Sequence, residues 1–225
     1  MLLHHYSTQA AVEALWTNEL KITSPCDFND PFEFLPATKK ISLENRRYCK
    51  NFQQSSKNRI YVLSMSARKN NGRMWAQYGE NHTGFIITLN FKKQPLAKWR
   101  EHRFLHKVDY SQSRRHIITP GKETIEDFTE LLTRKGRDWD HEKEWRLLFT
   151  PDFPDLQYRM FKGQLAAFLP LPDQAISAVT LGHRSTNALA ASVFKIKEIH
   201  GAKWTIRKAK WDDYKFSLGY ETIPD

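Results

Sequence analysis

The sequence predicts an α+β fold: a single domain over residues 1–225, with mixed sheets split around a cleft. Three observations carry that expectation. Short alternating or apolar runs bounded by Gly, Pro and Asn read as strands. A few longer segments hold apolar residues at helical spacing. The two kinds do not alternate regularly, as a parallel α/β chain requires. With 225 residues, 40% of them hydrophobic, the chain has enough apolar material for one sizeable core. No linker, repeat or low-complexity tract divides it.

The opening "MLLHHYS" is a short apolar-aromatic strand. A helix follows through "AAVEALWTNE", with Ser7 or Thr8 as its cap and Val12, Leu15 and Trp16 on one face. "LKITS" is a strand that stops at Pro25, and "SLENRRYCKNFQQSS" is a polar-faced helix. "RIYVLSMS" and "FIITLNF" are two strands joined through a helical turn in "NNGRMWAQYGENHTG", where Gly84 permits close backbone approach. "FLHKVDYS" alternates as one strand, and "TIEDFTELLTRK" is a helix with Ile125, Phe128, Leu131 and Leu132 on one face. "EKEWRLLF" is a strand that points Glu142, Glu144, Arg146 and Leu148 to the same side. The tail gives strand "AISAVTLG", helix "NALAASVFKIKEI" and strand "KWTIRKAKW".

No apolar run approaches the roughly 20 residues of a membrane span, and the N-terminus lacks the basic and apolar regions of a signal peptide. Cys26 and Cys49 cannot form a disulfide framework and lack metal-ligand spacing. The expected compartment is therefore a reducing cytoplasm, with no membrane partner. The formal charge of +10 favours a polyanionic partner, RNA or DNA, with Lys92, Lys93, Arg100 and Arg103 as contributors. The same charge can equally serve only to keep a protein dispersed. Dinucleotide-binding glycines, a phosphate loop, His-Glu-x-x-His and Gly-x-Ser-x-Gly are all absent. The nine histidines are dispersed, so no metal is predicted.

Polar groups interrupt apolar strands in three places. The first is His4-His5-Tyr6, where alternation sends one histidine inward and the other outward. The second is Ser64 and Ser66, on one side of their strand, followed by Trp75 and Tyr78. Those rings either plug a sheet end or form a stacking platform for a flat ligand. The third is Glu142, Glu144 and Arg146, a costly set if buried and otherwise a structural ion pair. The loop "CDFNDPFEF" adds to these. Asn29 and Asp30 close an Asx-type turn before Pro31, while Phe28, Phe32 and Phe34 pin it to the core. Asp30 or Glu33 can then meet a substrate or order a basic side chain such as Arg73 or Arg146.

Taken in order, "LKITSPCDFNDPFEF", "IYVLSMS", "RMWAQYGENHTGF" and "WDHEKEWRLLF" resemble the bacterial and phage family catalogued as domain of unknown function 2971. The order of the opening strand–helix–strand, the middle-strand serines and the late Glu-x-Glu strand is more loosely similar to the ADP-ribosyltransferase fold. That resemblance implies NAD, consumed as a substrate, in a cleft between two sheets. It implies that His5 holds the adenosine-side ribose, that Tyr6, Ser64, Ser66 and Trp75 line the cleft, and that Tyr78 stacks on nicotinamide. Glu144 would bond the nicotinamide ribose and Glu142 orient the acceptor, with Asn29, Asp30, Glu33 and Arg146 at the rim. The implied role is a toxin or phage-defence effector acting on nucleic acid or its machinery, with a protein antitoxin or regulator as partner. The rivals are a metal-independent nuclease using His5 and Glu144, and a basic nucleic-acid- or partner-binding module without catalysis.

Overall fold

The computed structural model describes the chain except residues 38–42, 56, 102–103, 115–123, 162 and 225. The first strands are β1 (Leu2–Ser7), β2 (Glu19–Ile22), β3 (Tyr61–Ser66), β4 (Phe85–Asn90), β5 (Leu105–Lys107), β6 (Asp109–Ser111) and β7 (Arg134–Gly136). They are followed by β8 (Glu144–Phe149), β9 (Gln157–Phe161), β10 (Gln164–Pro170), β11 (Ile176–Leu181), β12 (Thr205–Trp211) and β13 (Leu218–Thr222). The helices are α1 (Glu13–Thr17), α2 (Leu43–Ser55), α3 (Gly72–Gln77), α4 (Leu96–Glu101), α5 (Ile125–Leu132) and α6 (Asn187–His200). The architecture is α+β. Its centre is an eight-stranded sheet in the order β13-β12-β11-β4-β1-β3-β8-β5, beside a three-stranded β2-β10-β9 sheet and a β6-β7 pair.

Strand alternation gives the large sheet two unlike faces, because partners in register share a side. Leu3, Leu63, Ile87, Leu147, Val179 and Ile206 point into the main core, against Leu189, Val193 and Ile196 of α6. On the other side lie His4, Tyr6, Thr88, Ser64, Ser66, Glu144 and Arg146. Part of that second side is apolar, where Tyr6, Ile86 and Ala209 pack on Met74 and Trp75 of α3. Helix α6 starts at Thr186, whose hydroxyl accepts from the Leu189 N–H, and ends at Gly201 in the left-handed region. It provides the crossover between parallel β11 and β12.

A seam crosses the middle of this sheet. β1 and β3 pair at one position only, His4 with Ser66. Farther along β3, Val62 instead exchanges two backbone hydrogen bonds of 2.9 Å with Thr23, just past β2.

Several expectations need correction. "FLHKVDYS" is two strands: β5 joins β8, while β6 joins β7. β3 and β4 are joined through α3 as expected, with β1 lying between them in the sheet. The run Ala166–Leu171 belongs largely to β10, in a hairpin with β9 that the strand reading lacked. Ile125 is 82% exposed and Phe32 is 65% exposed, so neither anchors its segment, whereas Phe34 is fully buried. Glu142 is not on the strand. It ends a 3-10 turn over Arg137–Glu142, and left-handed Lys143 (φ 46°) separates it from β8.

Candidate active site

The seam opens into a cavity of about 260 Å³ bordered by β1, β3, β8, the Phe28–Glu33 loop and Tyr78. Its floor is a buried charge cluster. Arg146, 1% exposed, donates its Nε to Glu144 Oε1 (2.7 Å) and Nη2 to Glu144 Oε2 (2.8 Å). It also donates to the Leu132 carbonyl (2.6 Å) and to Glu33, and its guanidinium lies 4.7 Å from the Phe28 ring centre. Lys135, on β7, donates to Glu142 Oε2 at 2.6 Å and sits 3.4 Å from both Glu33 and Glu144. All five side chains are buried.

Three carboxyls thus face two cations, leaving one surplus negative charge or one proton. The environment decides where that surplus falls. Burial works against the Glu144 carboxylate, but the Arg146 guanidinium and Lys135 ammonium outweigh it and hold the group at about 2. Glu142 moves the other way. Burial raises it and the Glu144 charge adds to that, against the pull of Lys135. Lys135 itself is raised: burial opposes its charge, but Glu144, Glu33 and Glu142 together prevail. The two carboxyls are thus pushed in opposite directions, Glu144 toward the anion and Glu142 toward holding its proton.

Tyr78 completes this arrangement. Its hydroxyl donates to Glu142 Oε1 (2.6 Å) and accepts from Asn29 Nδ2 (3.0 Å). Burial, then the Glu142 charge, raise its ionisation far above the ordinary phenol range. Ser66 Oγ donates to the Glu142 carbonyl at 2.5 Å, tying the 3-10 turn to β3. The Glu144 N–H donates to the Tyr110 hydroxyl at 2.8 Å.

The two histidines divide differently from the expectation that one would face outward. His4 is buried on the Ser66–Glu144 side and hydrogen-bonds Thr88 Oγ1 at 3.1 Å. Burial, followed by the charges of Lys69 and Arg207, lowers it to about 4, so its ring is neutral. His5 points to the opposite side of β1, and its Nδ1 donates to the Ser64 carbonyl (2.9 Å), a group left free by the seam. Burial lowers it as well, against that hydrogen bond. Both histidines border the cavity, and by face it is His4 that shares the Glu144 side of the sheet.

Of the expected stacking rings, Trp75 is committed elsewhere: it is fully buried, with its Nε1 donating to the Lys69 carbonyl, so it is a core residue and not a platform. Tyr6, expected to line the cleft, borders the cavity while packing edge-on against Trp75 and donating to the Arg68 carbonyl. Asp30 shapes the rim: its Oδ1 accepts from the Phe32 N–H, an Asx turn. Glu33 reaches Arg146, as does Glu144, whereas Arg73 is not its partner. Sequence reasoning missed Lys135 and Tyr110. Tyr110 lies in a run that reads only as a strand, while Lys135 sits in a three-residue strand too short to show alternation and in a charged run that reads as solvated. Among the described residues, no group of three or more His, Cys, Asp or Glu could hold a metal ion.

The Met-Trp-Ala-x-Tyr and Glu-x-Glu-Trp-Arg segments therefore supply Tyr78, Glu142, Glu144 and Arg146 to one cavity. Residues 74–147 match the family model for a protein of unknown function, DUF2971. The DUF2971 segment runs from α3 through most of β8 and includes Lys135 and Tyr110, while His4, Asn29 and Glu33 reach the cavity from outside it. No curated protein and no solved structure matches the chain.

Proposed function

We propose that the protein is an NAD-consuming, ADP-ribosyltransferase-like enzyme. The observation that carries this reading is the surplus negative charge buried beneath the β1–β3 seam, split between a fixed anion and a titrating carboxyl. Cleavage breaks the bond between nicotinamide and ribose, and the bonding electrons leave with nicotinamide. The sugar carbon becomes cationic in the transition state. A preorganised carboxylate in a dry site stabilises that charge far more than water does. Glu144, held by Arg146 and Lys135, supplies it. Glu142, bonded to Tyr78, receives the proton that an acceptor hydroxyl or amine loses as it attacks.

The size and charge of the site suit one end of such a substrate. Ligand pockets commonly run from about 300 to 1,000 Å³, so a cavity of about 260 Å³ takes the nicotinamide-ribose end and leaves the rest outside. Lys69 and Arg207 do not line the cavity, but their charges are felt at His4, which does, and on this reading they would attract a diphosphate. The role as a toxin or phage-defence effector, with an acceptor in nucleic acid or its machinery, belongs to the same proposal and rests on the overall charge of +10.

A second reading has one observation in its favour. Each oxygen of Glu33, Glu142 and Glu144 already has a partner inside the protein. On that reading the cluster is purely structural and the chain is a basic binding module. Nicotinamide release from NAD, measured with and without cellular RNA, separates the two. We expect nicotinamide release to fall on the order of 100-fold in folded Glu144→Gln protein, and Glu142→Gln to lose transfer to an acceptor more than NAD cleavage. Equal release by wild type and Glu144→Gln overturns the role given to Glu144, and no release by the wild type overturns the enzymatic reading.

A further inference from the structure

At the far end of the large sheet, the β12–β13 hairpin shows rings to solvent. Tyr214 is 96% exposed, Phe216 115% and Trp211 54%. Folding alone does not place three large apolar groups there, and clustered exposed aromatics mark interaction surfaces. The turn also holds them in place. Asp212 Oδ1 accepts from the N–H groups of Tyr214 and Lys215, and its Oδ2 accepts from Ser217 Oγ. A turn fixed in this way presents its rings without an ordering cost on binding. Beside it, His183 lies 4.2 Å from the Trp211 ring centre and His82 lies 6.1 Å away. The Nδ1 of His82 is buried without a hydrogen-bond partner.

We propose that this hairpin is a stacking surface for single-stranded nucleic acid. Charge selects that occupant. Residues 203–215 hold five Lys and Arg against two Asp, and the Asp212 carboxylate is consumed by the turn. Lys215 is exposed next to the rings, and the charge of Arg184 is felt at His82. Alternating aromatic and basic groups are what a strand of unpaired bases requires: ring faces for the bases, cations for the phosphates. No aliphatic side chain occurs in "WDDYKFS", whereas a membrane-inserting tip also uses Leu or Ile. The surface is distinct from the cavity, and the proposal does not depend on what the cavity does.

The test is fluorescence anisotropy with labelled oligo-uridine and oligo-thymidine of about 12 nucleotides, within the span of one such site. A duplex of equal length and anionic phosphatidylserine vesicles serve as comparisons. Single strands should bind more tightly than the duplex. Tyr214→Ala/Phe216→Ala should weaken single-strand binding on the order of 100-fold, given two lost stacks. Tyr214→Trp/Phe216→Trp should retain it, and both variants should melt with the wild type because the rings are exposed. Unchanged affinity in the alanine variant, no single-strand binding at low salt, or ring-dependent binding of vesicles alone would each overturn the proposal.

Discussion

Glu142 and Glu144 are two residues apart and chemically opposite, and that difference dictates how each responds to mutation. Glu144→Gln preserves shape, and the sequence alone suggests that folding survives it. In the structure the amide can return only one of the two Arg146 hydrogen bonds, and a guanidinium 1% exposed is left with Glu33 as its charged partner. Breaking a buried pair on one side costs about 3–5 kcal/mol, so denaturant unfolding should show a loss of that order. Glu142→Gln also takes an acceptor from the buried Lys135, but that ammonium keeps Glu33 and Glu144 at 3.4 Å, so its loss in denaturant unfolding should be the smaller of the two. The pH response follows from the same groups. His4 is held neutral in the folded state, at about 4 against 6.5. Its contribution is complete above 6.5 and is lost as pH falls toward about 4. Glu144, at about 2 against 4.5, loses its contribution below that range, between about 4.5 and 2. Thermal midpoints across this range should fall in two stages, and His4→Gln should flatten the first. At this scale most of the cavity was legible, because carboxylates and a guanidinium inside apolar strands are costly unless paired. Which histidine shares the Glu144 side of the sheet was not, since it depends on a register that sequence does not encode.

Elements were most legible where local chemistry is strongest. Helix α5 was legible from the apolar spacing of "TIEDFTELLTRK", and in the structure it opens with Thr124 and Asp127 in a reciprocal capping box. Thr124→Ala should cost about 1 kcal/mol without touching turnover, because only the helix start depends on it. Gly84 is another legible element feature. A Cβ there would lie 2.1 Å from the Ser7 carbonyl oxygen, backbone that cannot yield without shifting β1. Gly84→Ala should therefore destabilise by about 1–3 kcal/mol or more. At Gly72, in the first turn of α3, an added Cβ meets nothing within 4 Å, and alanine should be neutral or stabilising. Paired melting curves of the two variants check the contrast. β7 and the β9–β10 hairpin were illegible for opposite reasons, and β6 was legible only as the end of a longer run. β7 is three residues long, and the exposed residues of β9 give no apolar pattern.

For the whole molecule, the excess of ten positive charges makes a definite claim about salt. If the hairpin and the wider basic surface hold phosphates, affinity should fall linearly on a log–log salt plot. The slope should drop by about one for each contacting cation removed. Lys92, Lys93 and Arg100 are the first to remove, and Arg103 lies outside the described residues. Among the described residues no helix is long and apolar enough to cross a membrane. The α+β class was legible from the irregular order of strands and helices. Which strands would lie side by side was not, because neighbours such as β4 and β11 are nearly 90 residues apart in sequence.

The single His4–Ser66 pairing between β1 and β3 makes the sheet mechanically two plates joined by a stitch. Such a joint gives way before the rows of paired strands on either side, so thermal breathing should concentrate there. A molecule lodged across the opening acts as a rivet. It would gain affinity from contacts on both plates and, by joining them, would slow hydrogen exchange on the β3-facing edge of β1.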